Sequence, residues 1–213
     1  MSHTGKNTNA LRPIRVEPNS TFSDIASPNI MMDARPLFTE PFHPYHPFKA
    51  LDGRTRLYPR YARSQKPVRY YYIDFGYSKR FKEGEGRMVS GWNAREQAPE
   101  QVDGDPYDPF KADVYQLGAI LRRDLIPSNT SLSFLLPIAR QMTEEQPCKR
   151  PTLAVARRAM NDQFGNLNGW RKRWPIIPPF STPRSRIALY WIGIRTELVH
   201  ILQTLIRLFI PIH

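Results

Sequence analysis

Apolar and polar positions follow no fixed period over the first part of the chain and settle into helical spacing only beyond Asp113. Residues 1–20 are polar, with scattered Pro and Asn, and read as a disordered tail. Ile30-Met31-Met32 is a short apolar run, read as a strand or the end of a buried loop. From Asp33 to Arg69, Pro, aromatic and basic residues mix without periodicity, which predicts a long irregular insertion on a surface. Tyr70-Tyr71-Tyr72-Ile73 is strongly β-prone and predicts a strand running into Asp74-Phe75-Gly76.

Helical spacing then takes over. Val114, Leu117, Ile120 and Leu121 share one face of a helix expected to start at Asp113. Leu132, Leu135, Leu136, Ala139 and Met142 form a second apolar face that ends near Pro147. Thr152 is the expected N-cap of a third helix, with Val155, Ala156, Ala159 and Met160 facing inward. Residues 166–185 include the Pro-rich run WPIIPPFSTP and read as a linker. In 186–213, apolar residues from Ile187 through Trp191, Ile194, Leu198 and Leu205 recur at helical spacing, opposite Thr196, His200 and Gln203. This predicts an amphipathic helix. Arg195, Glu197 and Arg207 interrupt it, so it does not read as a membrane span. Three readings stay open: packing on the preceding domain, pairing with a partner helix, or lying on a membrane surface.

Composition changes this picture in two ways. Hydrophobic residues make up 40% of the chain, enough for one domain with a core. Lys and Arg number 31 against 19 Asp and Glu, a net charge of +12 that favours polyanionic partners without choosing among them. The single cysteine, Cys148, rules out an internal disulfide and fits an intracellular site, cytoplasmic or nuclear. The polar N-terminus argues against a secretory signal. The stretch from Arg54 to Arg69 interleaves Arg with Tyr, as nucleic-acid-binding segments do. No nucleic-acid fold accompanies it, so an insertion whose arginines cover the domain and pair with its acids is preferred. His43 and His46 are flanked by prolines that forbid a regular helix, and no third ligand is near.

One ordered set of motifs carries chemistry. Phosphoryl transfer needs metals that neutralise phosphate charge and a group that orients the attacking hydroxyl. Protein kinases supply a catalytic Asp, an Asn about five residues later, then Asp-Phe-Gly, then Ala-Pro-Glu. Here Asp24 precedes Asn29, then come Asp74-Phe75-Gly76, Ala98-Pro99-Glu100, Asp113-Val114-Tyr115-Gln116-Leu117-Gly118 and Arg150-Pro151-Thr152. Any one of these is a common short string. In this order, each with suitable neighbours, they make residues 21–165 resemble the C-terminal lobe of a protein kinase, with 33–69 as an insertion. The run Asn29-Ile30-Met31-Met32-Asp33, the segment Phe42-His43-Pro44, and Asp105-Pro106-Tyr107-Asp108-Pro109-Phe110 further resemble a divergent kinase-like family abundant in mushroom-forming fungi.

The resemblance implies an α+β, mostly α fold. Asp24 would be the catalytic residue that orients a protein Ser or Thr hydroxyl. Asn29 and Asp74 would hold Mg with ATP, Phe75 and Gly76 would complete the motif, and Glu100, Asp113 and Arg150 would brace the lobe through a Glu100–Arg150 pair. Two departures bear on activity. Phe22-Ser23 stands where the family has His-Arg; Phe22 can fill the core position, but the Arg that reads an activation-loop phosphate is replaced. Too few residues precede Asp24 in this sequence for a Gly-rich loop, a strand Lys and their sheet. Weak or absent catalysis is therefore expected. A non-catalytic, pseudokinase-like binding module or a truncated gene product is the alternative. The partner is expected to be a protein, whether substrate or binding partner, with a membrane surface as a further candidate through 186–213.

Overall fold

The computed structural model describes residues 19–209 except 62, 64, 65, 92, 93 and 103. Residues 1–18 of the expected tail, and the last residues of the C-terminal segment, 210–213, lie outside them. The fold is mixed α+β and mostly helical, with small two-stranded sheets. β1 (Ser20–Thr21) pairs antiparallel with β6 (Lys79–Arg80), β2 (Ile30–Asp33) with β5 (Arg69–Tyr72), and β3 (Phe42–His43) with β4 (His46–Ala50). Each pair encloses the next in sequence. The tyrosine run forms β5 because β-branched and aromatic side chains suit a pleated, half-buried surface. Its register runs from Ile30 opposite Tyr72 to Asp33 opposite Arg69.

Two boundaries move here. Ser20, assigned to the tail, already belongs to β1. The segment 33–69 is less irregular than expected: it holds the β3–β4 hairpin, extended by a bridge between Lys49 and Arg56. Among the described residues its cations meet both acids and tyrosines: Arg35 bridges Asp33 at 2.7 Å, and Lys66 lies 5.0 Å from the Tyr61 ring centre. Arg56 lies 5.4 Å from the Tyr58 ring centre, and Arg63 donates to the Tyr70 hydroxyl at 3.2 Å.

The helices are α1 (Pro99–Val102), α2 (Pro109–Ile120), α3 (Ile126–Ser128), α4 (Leu136–Met142), α5 (Leu153–Gly165), α6 (Gly169–Arg173) and α7 (Pro183–Phe209). Helix α2 begins before Asp113. Asp108 caps it by accepting from Phe110 N at 2.9 Å, and Pro109 takes the first helical position, where a missing N–H costs nothing. A wider π-helical turn, Leu121–Leu125, carries α2 into α3, filling the gap expected between the two apolar helices.

Val114, Leu121, Ile138, Ala139, Met142 and Ala156 form the main core, where α2, α4 and α5 meet. Gly118 allows the closest approach: a Cβ there would lie 2.6 Å from Met142 Cβ and 2.9 Å from Thr143 Cγ2. Thr152 caps α5 as expected, accepting from Val155 N. Val155 itself does not face inward; it is exposed, and Ala156 takes the fully buried position.

The expected linker 166–185 is partly helical, since it contains α6 and the start of α7. Helix α7 packs on α6 and Trp174. Gly193 meets the Trp174 ring, and Arg173 holds Glu197 at 2.8 Å through two hydrogen bonds. Among the described residues no helix is long and apolar enough to cross a membrane.

Candidate functional site

The nested strand pairs set two turns side by side. β1 and β2 flank the turn Phe22–Asn29, and β5 and β6 flank Ile73–Ser78. Ile73 N donates to Asn29 O at 2.9 Å, and Ser78 Oγ donates to Phe22 O at 3.3 Å. The Phe22 ring fills the space between them, 4.8 Å from the Tyr72 ring and 5.8 Å from that of Phe75. Asp24, Asn29 and Asp74 are thereby gathered at one end of the β2–β5 ribbon.

Asn29 Nδ2 donates to both the Asp24 carbonyl and Asp24 Oδ2, each at 3.0 Å. With its nitrogen so engaged, Asn29 turns the oxygen of the same amide away from Asp24. Arg95 N donates to Asp24 Oδ1 at 2.9 Å. A carboxylate offers about four lone-pair sites, so these bonds fix the orientation of Asp24 and leave room for another donor. Asp74 is exposed and has φ 61°, a left-handed conformation that non-glycine residues adopt seldom. Its carboxylate takes no hydrogen bond or ion pair among the described residues. Asp74 and Asn29 lie at the same end of the β2–β5 ribbon, and their side-chain oxygens are of the donor type that suits Mg²⁺. Among the described residues there is no group of three His, Cys, Asp or Glu side chains able to hold a metal. His43 and His46 face each other across the β3–β4 turn at 5.2 Å, outside the site.

The turn bearing Asp24 is held from below. Asp113, on α2, accepts from Phe22 N at 2.9 Å and Ser23 N at 2.8 Å. These bonds hold Ser23 in a left-handed conformation, φ 61°, immediately before Asp24. Burial pushes the Asp113 carboxyl up to about 6, and the two backbone N–H bonds oppose that shift. One turn further along α2, Gln116 accepts from Ile25 N at 2.8 Å and donates to Ser23 O at 3.3 Å. Gln116 is fully buried and also meets Gln101, which accepts from Ala98 N at 2.8 Å. The residue motif had included Gln116 but gave it no role. The available signal was a polar side chain spaced with Asp113 on an otherwise apolar helical face.

Glu100, on α1, meets Arg150 in a two-point bridge, with both N–O distances 2.6 Å. Arg150 is fully buried. Its remaining donors reach the carbonyls of Glu144, Lys111 and Glu145, and its guanidinium lies 4.8 Å from the Tyr115 ring centre. This satisfies a charge that would otherwise be very costly to bury. Sequence reasoning named each of these residues; the structure joins Asp24 to Asn29, Asp113 to the backbone of Phe22 and Ser23, and Glu100 to Arg150. Asp74 stays apart from all of these bonds. No family model and no curated protein matches the chain.

Proposed function

We propose that residues 19–165 are the C-terminal lobe of a protein-kinase-like fold, with the residues that direct phosphoryl transfer from Mg-ATP to a protein Ser or Thr hydroxyl. The observation that carries this reading is the Asp113 carboxylate fastened to the backbone of Phe22 and Ser23, which sets Asp24 and Asn29 in one hydrogen-bonded unit. A carboxylate chosen at random has no reason to be braced by a buried one about ninety residues further along the chain.

In this reading Asp24 orients the attacking hydroxyl and takes its proton as the oxygen bonds to the γ-phosphorus and the bond to ADP breaks. Asn29 Oδ1 and the Asp74 carboxylate would hold Mg²⁺, whose charge offsets that of the phosphates. Phe75 and Gly76 follow Asp74 through the turn, and the Glu100–Arg150 bridge fixes α1 against the end of α4. Slow turnover is the expected result for the chain alone, since these residues hold metal and hydroxyl rather than the nucleotide base.

A second reading, a non-catalytic binding module, is favoured by the bond from Arg95 N to Asp24 Oδ1, which covers one side of the proposed base. Calorimetric titration with Mg²⁺ and with Mg-ATP separates the two. Binding that is lost in Asp74→Ala and Asn29→Ala but kept in Asp24→Asn supports the kinase-like site. A folded wild-type chain that binds neither supports the binding module. Phosphate transfer to a generic protein substrate, abolished by Asp74→Ala, would make the chain an enzyme by itself.

A further inference from the structure

Helix α7 points its apolar side away from the body. At about 100° per residue, Ile187, Trp191, Ile194, Leu198, Ile201, Leu202 and Leu205 fall within a sector roughly 100° wide. All are exposed, Trp191 by 66% and Leu198 by 61%. The helix packs through the opposite side, where Gly193 meets Trp174 and Glu197 meets Arg173. A second apolar row, Ile192, Val199 and Ile206, borders the first and is also exposed.

Glu197 is the one acidic residue of α7, and Arg173 neutralises it on the packed side. Arg184 and Arg195 fall between the two apolar rows and are exposed; Arg186, also exposed, lies on the side of Gly193. The outward surface is therefore apolar and cationic, on a chain of net charge +12.

We propose that α7 lies flat on an anionic lipid surface, with the stripe from Ile187 to Leu205 at the acyl boundary and Arg184 and Arg195 on lipid phosphates. The four-and-three spacing from Ile187 to Leu205 also suits pairing with a second copy. A two-helix seam would leave Ile192, Val199 and Ile206 in water and would bring together two strongly cationic chains with no free acid on the helix to pair them. A bilayer boundary takes both apolar rows, lets the long Arg side chains between them reach back to the phosphates, and supplies the negative charge.

This inference is independent of the phosphoryl-transfer reading. Its test is flotation of the full chain with vesicles of phosphatidylcholine alone and of phosphatidylcholine with phosphatidylserine. The expected result is flotation with the anionic vesicles, weakened by salt. Leu198→Asp combined with Leu202→Asp should abolish it, while Arg184→Gln and Arg195→Gln should each weaken it about fivefold. Unchanged circular dichroism and denaturation midpoints show that these exposed-face variants fold. Failure of the folded wild type to float with anionic vesicles overturns the proposal, including where it instead self-associates through the same residues. Flotation undiminished in the double aspartate variant overturns it as well, since binding would then lie elsewhere on the basic surface.

Discussion

In the body from Asn19 to Gly165, the interior holds polar groups, while in α7 the exterior holds apolar ones. Arg150, Gln116 and Gln101 are almost fully buried, and each is bonded to a loop or helix end that it fixes in place. Ile187, Trp191 and Leu198 lie in the open on a helix that meets its support at Gly193, the Tyr190 ring and an ion pair from Glu197. Buried polar groups are costly unless every one is satisfied, and satisfied networks specify a single arrangement. Among the described residues no buried side-chain nitrogen or oxygen lacks a partner. The body is thus built to hold a geometry, whereas α7 is built to present a surface.

Substitutions in the two regions should differ by the same logic. The largest loss is expected for Arg150→Ala, which strands Glu100 and three backbone carbonyls and should cost about 3–5 kcal/mol by chemical denaturation. Arg150→Lys should recover only part of it, since an ammonium cannot make the two-point bridge.

Asp113 gives a pH-dependent effect of similar size. Its carboxyl is raised from 3.8 to about 6 in the folded state, so the native chain binds the extra proton across that interval. The stabilisation is complete below the unfolded value and is lost as pH rises through the folded one. The Asp113 contribution should fall by about 3 kcal/mol between the two values. Denaturation midpoints from pH 4 to 7 should show this fall as the difference between wild type and Asp113→Asn.

Gly118→Ala comes next: the added methyl must displace Met142 and Thr143, for a loss of about 1–3 kcal/mol. Thr152→Ala removes one helix cap, with a loss of about 1 kcal/mol. The smallest effect should come from α7, where Leu198→Asp should stay within about 0.5 kcal/mol of wild type. A large loss there would break the comparison, because it would mean the outward stripe is packed after all.

The sequence disclosed the fold at the level of a mostly helical α+β chain with small strand pairs. Asp24, Asn29, Glu100, Asp113 and Arg150 were named through a resemblance to kinase motifs in a fixed order, and the fold ties each of them into a hydrogen bond. The Tyr70–Ile73 strand and the Thr152 cap were legible because each is a local preference. The start of α2 was misjudged because apolar periodicity outweighed Asp108-Pro109, a local stop-and-start signal with less visual weight. Val155 was misjudged because an apolar residue in an amphipathic helix need not face the core when its neighbour Ala156 fits the closest contact. The β3–β4 hairpin escaped notice because its prolines and aromatics mask alternation, and its pairing depends on contacts that no short window contains.

The enclosure of one strand pair within another has a consequence for how this part of the chain folds. Closing a loop costs conformational entropy that grows with the logarithm of its length. Once β3 and β4 meet, β2 and β5 are joined by a shorter effective tether, and their pairing in turn shortens the path between β1 and β6. Assembly from the innermost hairpin outward would bring the turns of Asp24 and Asp74 together late, after the smaller loops have closed. Replacing residues 42–56 with an unstructured segment of equal length should therefore slow refolding while leaving unfolding nearly unchanged, a result that stopped-flow kinetics would register directly.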